Sequence, residues 1–333
     1  MALPDGLYDR LLTEGLARSL AAIDPHSADV LALKGGAAEF LADVITRQLS
    51  AILEDVGGDD SDKAKRQLEL VNELLVMLRQ RLNGSDGAAG SAASAEVIDL
   101  VAAPLRVLRA VQRDRQFPTS PEIGLAVPWL FTAGKGSPSL LQEIRRELAS
   151  SDQVDILVSF ITVSGVRKLQ DVLQQITAKG AQGRAATRLR ILTTTYTGAT
   201  EARALDELAR LPGCEVRVSL DGRRTRLHAK AWLFQRKSGF GSAYVGSANL
   251  SGAALTGGLE WTVKLTQRAQ EALFARAVAH FETLWADSEF QRYDPDNVEH
   301  RQALAAALGR ESFGGEPSAT ISFFDLQPKT YQQ

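Results

Sequence analysis

Residues 225–261 have the sequence TRLHAKAWLFQRKSGFGSAYVGSANLSGAALTGGLEW, and this is the most informative segment of the chain. A His-x-Lys pair, His228 and Lys230, opens a predicted strand, and side chains two apart on a strand share a face. The next predicted strand ends in a Gly-Ser-Ala-Asn turn, where glycine lets the backbone approach closely beside Asn249. Glu260 lies one further strand along the chain. We therefore expect these polar side chains to form one site.

Strands and helices alternate around this stretch, from about Val127 onward. Short apolar runs predict strands over residues 154–160, 189–194, 215–218, 231–234, 243–245 and 261–265. Amphipathic stretches predict helices over residues 138–149, 165–178, 200–211 and 267–288. This alternation predicts an α/β core with helices on both faces of a sheet. No GxxxxGK[ST] loop or GxGxxG fingerprint occurs, so neither common nucleotide-binding loop is supported.

The region before this core has the periodicity of helices. Apolar residues recur at three- and four-residue spacing near the start of the chain, at Leu11, Leu12, Leu16, Leu20 and Ile23. Amphipathic stretches follow over residues 27–56 and 62–82, and a fourth helix is expected around 97–112. Residues 83–94 are small, polar and glycine-rich, as in a linker. We expect an all-α region over residues 1–120 that serves packing or dimerisation rather than catalysis.

Composition limits the classes of protein that the chain can represent. Its 333 residues suffice for two domains, or for one large core with an appendage. No run of eighteen apolar residues occurs, and the first residues lack the pattern of a secretory signal. Cys214 is the only cysteine, which excludes an internal disulfide and a cysteine-based zinc site. A reducing, cytoplasmic setting is expected, with no cofactor and no metal.

Charge is distributed unevenly although the net charge is only −2. Residues 1–120 carry 13 Lys and Arg against 18 Asp and Glu. Residues 214–237 carry seven basic side chains against two acidic ones. We expect Arg223, Arg224 and Arg226 to contact a nucleic-acid backbone if the site is active, and otherwise to form a solvated loop.

The residue types of the site suit the cleavage of a phosphodiester bond. Negative charge builds on the phosphate oxygens as a nucleophile enters, and Lys230 and Asn249 can stabilise it. A neutral imidazole such as that of His228 can attack phosphorus, with Glu260 as the carboxylate on its other ring nitrogen. Ser247 is either a second phosphate donor or a turn residue, with nothing to choose between them.

Each of these residues also has a plainer interpretation. His228 can be a core histidine, and Asn249 can cap a helix that begins near Ser251. Glu260, directly before Trp261, can be a residue of the site's rim. Trp232 lies on a predicted strand and is expected in the core rather than as a base-stacking platform.

The motif resembles that of the phospholipase D superfamily, H-x-K-x4-D followed by G-S/T-x-N. The chain matches it at His228, Lys230, Gly246, Ser247 and Asn249, and departs from it at Gln235, where the family has aspartate. The resemblance spans about residues 127–288 and implies a mixed sheet flanked by helices on both faces. Glutamine at this position bears on strand packing or on support of the site more than on the chemical step.

The resemblance also implies a metal-independent mechanism that needs two histidines. One forms a covalent phosphohistidine, and the second protonates the leaving oxygen. None of the other three histidines has a lysine two residues on, so a homodimer in which each chain supplies one His228 is expected. In this respect the chain is similar to the single-motif bacterial nucleases of the superfamily.

A narrower resemblance covers residues 191–209 together with RRTRLHAKAWLF, AYVGSANLS and GLEW. These segments are similar to the phospholipase D-like domain at the front of bacterial superfamily 2 helicases of the DEAD/DEAH type. The last residues, FFDLQPKTYQQ, resemble the entry to such a helicase motor. We expect a phospholipase D-like domain over residues 121–290 and, over 291–333, a segment leading into a helicase motor in the same polypeptide.

Two functional hypotheses follow. The first is a phosphodiesterase or nuclease that acts on DNA in a dimeric active site, as the nuclease part of a helicase-nuclease. The second, motivated by Gln235, is a catalytically inactive DNA-binding module that guides a helicase. A phospholipase is disfavoured, since the chain has one motif and no basic amphipathic helix.

Overall fold

The chain divides into two compact units, Met1–Arg109 and Ala110–Gln333, in the computed structural model. The structure describes residues 12–22, 30, 37–83, 99–110, 119–132, 138–178, 187–221, 227–258 and 260–314. The linker expected over residues 83–94 lies outside this part of the chain, apart from residue 83. The domain limits expected at residues 120 and 290 stay predictions.

Three helices make up the described secondary structure of the first unit: α1 (Glu14–Leu20), α2 (Ala37–Asp55) and α3 (Asp60–Asn83). Thr13 caps α1 by accepting a hydrogen bond from the Leu16 amide. Two side chains of α3 donate to carbonyls at the end of α2, Lys63 to Glu54 and Gln67 to Leu53. They satisfy acceptors that a helix end leaves free. The predicted helical N-terminal region is thus present.

The prediction of a fourth helix around residues 97–112 is wrong over residues 99–110, because these residues form no helix. Pro104 lies in the middle of this segment, where proline lacks the N–H of a helical hydrogen bond and disfavours a helical residue before it. The Asn72 amide of α3 instead pairs with the Val101 backbone, donating to its carbonyl and accepting from its N–H, both at 2.9 Å. The Asn72 side chain therefore satisfies both backbone polar groups of Val101 in a segment that forms no helix.

The second unit is built on an eight-stranded mixed sheet with the order β1-β7-β6-β5-β2-β3-β4-β8. Strands β2, β3 and β4 are parallel to one another, and every other neighbouring pair is antiparallel. The strands are β1 (Trp129–Thr132), β2 (Gln153–Leu157), β3 (Arg188–Thr194), β4 (Cys214–Ser219), β5 (Ala231–Gln235), β6 (Ser242–Gly246), β7 (Trp261–Thr266) and β8 (Phe290–Tyr293). The six predicted strands are confirmed. The two edge strands, β1 and β8, were not predicted, and β8 carries the sheet to Tyr293.

Helices cover both faces of this sheet, so the predicted α/β fold class is confirmed. One face packs against five helices around a core that includes Ile156, Leu169 and Trp232. These helices are α4 (Leu140–Ser150), α5 (Val163–Thr177), α6 (Ala202–Ala209), α7 (Gly252–Thr256) and α9 (Val298–Gly314). The other face packs against α8 (Glu271–Ala286), through Phe274, Phe281 and Trp285. No helix among the described residues is long and apolar enough to cross a membrane.

Candidate active site

The sheet topology brings the predicted site residues to one edge. Strand β5 runs antiparallel to β2 and β6, and β6 runs antiparallel to β7, so the end of β2, the start of β5, the end of β6 and the start of β7 coincide. We call this the site edge. His228 and Lys230 precede β5, Asn249 follows β6, and Glu260 precedes β7. The loop between β4 and β5 ends at the same edge, but Arg223, Arg224 and Arg226 in it lie outside the described residues.

His228 and Lys230 differ in exposure although they are two residues apart. His228 is exposed, whereas Lys230 is only 5% exposed. The Lys230 Nζ donates to the His228 carbonyl oxygen over 2.6 Å, so the ammonium holds the backbone of His228 in place. Burial lowers the pKa of Lys230, and the negative charge of Glu260 acts on it in the opposite direction. His228 is thus accessible, with a buried cation fastened to its own backbone.

A small cavity lies beside Lys230 inside the fold. Its volume is about 10 Å³, room for a single water molecule. Lys230, Trp232, Tyr244, Gly246 and Thr262 are among its lining residues. The Thr262 hydroxyl is buried and has no hydrogen-bond partner in the described part of the chain. Inside the fold, the space beside Lys230 is therefore closely packed.

Asn249 fastens the loop after β2 to the site edge. Its Oδ1 accepts hydrogen bonds from the backbone N–H of Ser159, at 3.0 Å, and of Phe160, at 3.3 Å. The Asn249 side chain is buried. The Ser251 hydroxyl, rather than Asn249, caps α7 by accepting from the Ala254 amide. Asn249 therefore determines where the chain leaves β2, and sequence reasoning, which assigned it phosphate binding or a helix cap, missed this role.

The start of α5 packs directly on the residue after Asn249. The Thr162 N–H donates to the Leu250 carbonyl over 3.0 Å. A Cβ added to Gly165 would lie 2.4 Å from that carbonyl oxygen, so only glycine fits. The loop after β2 and the loop after β6 are thereby packed against each other at the site edge.

Gly246 and Ser247 position the chain around Glu260. A Cβ on Gly246 would lie 2.1 Å from the Trp261 carbonyl oxygen, so glycine is required where β6 and β7 meet. The Ser247 hydroxyl accepts from the Trp261 N–H at 3.1 Å and contacts the Trp261 carbonyl oxygen at 3.4 Å. The structure thus gives Ser247 a backbone-holding role next to half-buried Glu260. Its interpretation as a phosphate donor stays a prediction.

Gln235 lies at the end of β5 remote from the site edge. Its Nε2 donates to Asp155 Oδ2 over 2.6 Å, and the Arg190 Nε donates to the other oxygen of that carboxylate over 2.6 Å. Arg190 also binds Glu282 of α8 through two hydrogen bonds, and these partners raise its pKa although burial acts to lower it. The departure from the family motif therefore belongs to a buried polar network that anchors α8.

A second buried polar network lies under α4. Glu147 accepts from Arg236, Ser242 and Tyr244, and Lys264 pairs with Glu147 and Glu143, each at 3.0 Å. Two carboxylates and two cations thus balance inside the fold. Among the described residues, no three His, Cys, Asp or Glu side chains form a group that could hold a metal ion.

Residues 144–285 match the family model described as "Cardiolipin synthase, PLD-like domain". No curated protein matches the chain. Among solved structures, NucT from Helicobacter pylori is 15% identical, with 48% of this chain and 95% of that chain covered and a TM-score of 0.36. Nuc from Salmonella typhimurium, a phospholipase D family member, is 16% identical, with 50% and 97% covered and a TM-score of 0.37.

TrmBL2, an archaeal chromatin protein whose structure shows a mode of DNA binding, is 11% identical, with 81% of this chain and 79% of that chain covered and a TM-score of 0.29. Likenesses this distant say nothing of the substrate. The family match and the site geometry cover the same residues. Residues 144–285, which match the model of a PLD-like domain, include His228, Lys230, Asn249 and Glu260 of the site edge.

Proposed function

We propose that the chain is a metal-independent nuclease that cleaves DNA through a covalent phosphohistidine at His228, in an active site completed by a second copy of the chain. The observation that carries this proposal is an exposed His228 whose backbone carbonyl accepts a hydrogen bond from the buried Lys230 ammonium. Asn249 and Glu260 lie at the same site edge. These positions support the assignment of His228 as a nucleophile and of its neighbours as groups that stabilise an anion.

In the first step, a neutral ring nitrogen of His228 attacks phosphorus and forms a P–N bond. The P–O bond to the leaving nucleoside breaks, and its oxygen takes a proton from His228 of the second copy. Lys230 and Asn249 stabilise the negative charge that grows on the non-bridging oxygens. Glu260 favours the imidazolium that develops on the attacking ring.

In the second step, a water molecule attacks the phosphohistidine. It gives a proton to His228 of the second copy, which lost one in the first step. The P–N bond breaks, the electron pair returns to the His228 ring, and a phosphate monoester leaves. Both imidazoles return to their starting protonation, so the cycle consumes one water molecule per bond cleaved.

DNA is the proposed substrate because basic residues concentrate next to the site. Residues 214–237 carry seven Lys and Arg against two acidic side chains. Arg223, Arg224 and Arg226 in this stretch are proposed to bind backbone phosphates. Such contacts weaken as the salt concentration rises, because binding releases counterions from the DNA.

The alternative, an inactive DNA-binding module that guides a helicase, was motivated by Gln235. Gln235 lies at the far end of β5 and binds Asp155, so its position does not favour a loss of chemistry at His228. A link to a helicase motor remains part of the proposal, on the resemblance of residues 191–209 and of the last residues. That final segment lies outside the described residues.

The decisive experiment is a cleavage assay in EDTA with the purified chain. We expect cleavage of DNA by the wild type and at least a 100-fold loss in His228→Ala, with His26→Ala in the first unit as a matched control. Rapid acid-free denaturation during turnover of end-labelled DNA should leave an acid-labile label on the protein. Cleavage that requires magnesium and survives His228→Ala would exclude the mechanism.

A further inference from the structure

A large aromatic side chain is exposed at the site edge. Trp261, the first residue of β7, is 67% exposed and directly follows Glu260. Alternate residues of a strand share a face, so Trp261 lies on the same face as Val263 and Leu265. Leu265 packs against the part of the core that α8 covers. Trp261 therefore lies at the site edge on the α8 face of the sheet, with its ring open to solvent.

The backbone of Trp261 is fixed although its side chain is exposed. Its N–H donates to the Ser247 hydroxyl over 3.1 Å, and its carbonyl oxygen accepts from the Ser247 N–H over 3.0 Å. Trp261 also pairs with Thr132 across β7 and β1. The turn that carries Asn249 thus holds both backbone polar groups of Trp261. A ring on a fixed backbone loses little freedom when it binds a ligand.

Aliphatic side chains adjoin Trp261 on the α8 face. The members of this group are Leu130, Val245 and Val263, which are 40%, 42% and 41% exposed. Val263 pairs with the other two, across β7 and β1 and across β7 and β6. Neighbouring strands lie about 4.8 Å apart, so these side chains form a continuous row. The indole therefore extends an open apolar surface up to the site edge.

The indole lies close to the groups proposed to bind phosphate. His228 precedes β5 and Trp261 begins β7, with β6 alone between these strands. The two strands are therefore roughly 10 Å apart. Phosphates along one DNA strand are spaced at about 3.4 Å or more. A base within roughly three nucleotides of a phosphate at His228 can thus reach the indole.

We infer that Trp261 stacks on an unpaired base next to the scissile phosphate, and that the substrate is single-stranded DNA. The inference rests on the proposed function, because it names the form of DNA that is cleaved. Proteins that bind single strands combine basic residues along the backbone with aromatic rings on which bases stack. This chain has both kinds of residue at the site edge, since the loop between β4 and β5 contains Arg223, Arg224 and Arg226.

The form of DNA follows from the geometry of stacking. In a duplex, each base is paired and its faces are covered by the neighbouring bases. An unpaired base has a free face, and stacking on an aromatic ring does not depend on which base it is. We therefore expect Trp261 to favour single strands over duplexes without selecting a sequence.

A protein partner is the competing occupant, because exposed apolar surfaces often bind proteins. A standard protein interface has roughly 20–30 residues on each side. The surface around Trp261 consists of four side chains, and three of them are already more than half covered. It is therefore small for a protein interface, whereas a single base needs only the ring and its immediate surroundings.

The test is a binding assay with short oligonucleotides, in the full chain with His228→Ala so that no strand is cut. Affinities for a single strand and for the duplex of the same sequence are measured by fluorescence anisotropy. Trp261→Ala and Trp261→Phe are compared with Trp129→Ala as the matched control. Trp129 is 41% exposed on β1, where it pairs with Lys264 away from the site edge.

We expect Trp261→Ala to weaken binding of the single strand by about 5-fold or more, and binding of the duplex by less than about 2-fold. Trp261→Phe should keep most of the affinity, because its smaller ring still stacks. Trp129→Ala should bind both forms as before. Equal losses on the single strand and the duplex, or no loss on either, would overturn the inference.

Oligonucleotides with one abasic nucleotide at successive positions identify the stacked base. At one position, removal of the base should itself weaken binding by about 5-fold or more. Trp261→Ala should then weaken binding of that oligonucleotide no further, because both changes remove the same contact. Losses that add at every position would contradict stacking by Trp261.

Failure of the stacking contact and failure of the proposed function give different results. If Trp261 is coupled to one base but the wild type cleaves no DNA, the contact stands and the nuclease proposal fails. If the wild type cleaves DNA and Trp261→Ala slows cleavage of neither form, the nuclease proposal stands and the inference fails. Light scattering gives the molar mass, and a changed mass in Trp261→Ala would assign the ring to a protein contact and overturn the inference.

Discussion

Asn249 offers a way to separate the architecture of the site from its chemistry. Its Oδ1 accepts two backbone N–H groups, from buried Ser159 and half-buried Phe160. In Asn249→Ala both donors lose their partner, at about 1–3 kcal/mol for a donor that stays buried, and less where water can enter. We therefore expect the second unit to lose about 2–4 kcal/mol of stability. For a unit of this size, that corresponds to a fall in Tm of roughly 5–15 °C.

Asn249→Asp is the matched comparison. A carboxylate accepts the same two hydrogen bonds, so we expect its Tm to stay within roughly 3 °C of the wild type. It lacks the amide N–H donors and places a negative charge beside the phosphate, and we expect at least a roughly 100-fold loss of cleavage. Calorimetry gives the Tm values, and initial rates on DNA in EDTA give the activities. An alanine variant as stable as the wild type would refute the loop-fastening role. An aspartate variant of normal activity would refute phosphate stabilisation by the amide.

The remaining predictions concern charge and packing near the sheet. Burial lowers the pKa of Lys230 below its ordinary 10.5, so the initial rate of cleavage should fall before the pH reaches 10.5. In Lys230→Arg the initial rate should fall only at a higher pH, because the guanidinium stays protonated. In Gly246→Ala the free energy of unfolding, measured by chemical denaturation, should fall by about 3 kcal/mol or more, because the added Cβ would lie within 3 Å of backbone atoms of β7. In Gly257→Ala it should change little, because nothing lies within 4 Å of the added Cβ. In Gln235→Asp the free energy of unfolding should fall by about 1–3 kcal/mol, because a second carboxylate is placed beside Asp155. An unchanged Tm would show that residues 235 and 155 do not interact.

Much of the sheet could be predicted from local pattern because its inner strands are short, apolar and bounded by turn residues. The predicted strand over residues 189–194 differs from β3 by one residue. The edge strands β1 and β8 have only four residues each, and their pairing with β7 and β4 comes from strands distant in sequence. Local propensity carries little of that information, because strand preference depends on neighbours in the sheet.

The candidate site could likewise be predicted only in part from the sequence. The motif spacing predicts that His228 and Lys230 open a strand and that Asn249 and Glu260 lie nearby. In the structure His228 and Lys230 instead precede β5, which begins at Ala231, and the topology brings all four residues to one edge. The contacts that hold this edge could not be predicted, since they join residues far apart in sequence. The hydrogen bond from the Ser159 N–H to Asn249 spans 90 residues. No local signal in the sequence marks such a pair.

The glutamine at position 235 connects the motif to the packing of α8 against the sheet. A buried carboxylate, Asp155, already lies on the neighbouring strand, where it accepts from both Gln235 and Arg190. An amide at 235 adds a donor to that carboxylate, whereas the family's aspartate would oppose it. Arg190 in turn pairs with Glu282 and stacks on Phe281, 4.9 Å from the ring centre, and so holds α8 in place. This departure from the motif therefore acts on how α8 is held against the sheet, at the end of β5 remote from His228.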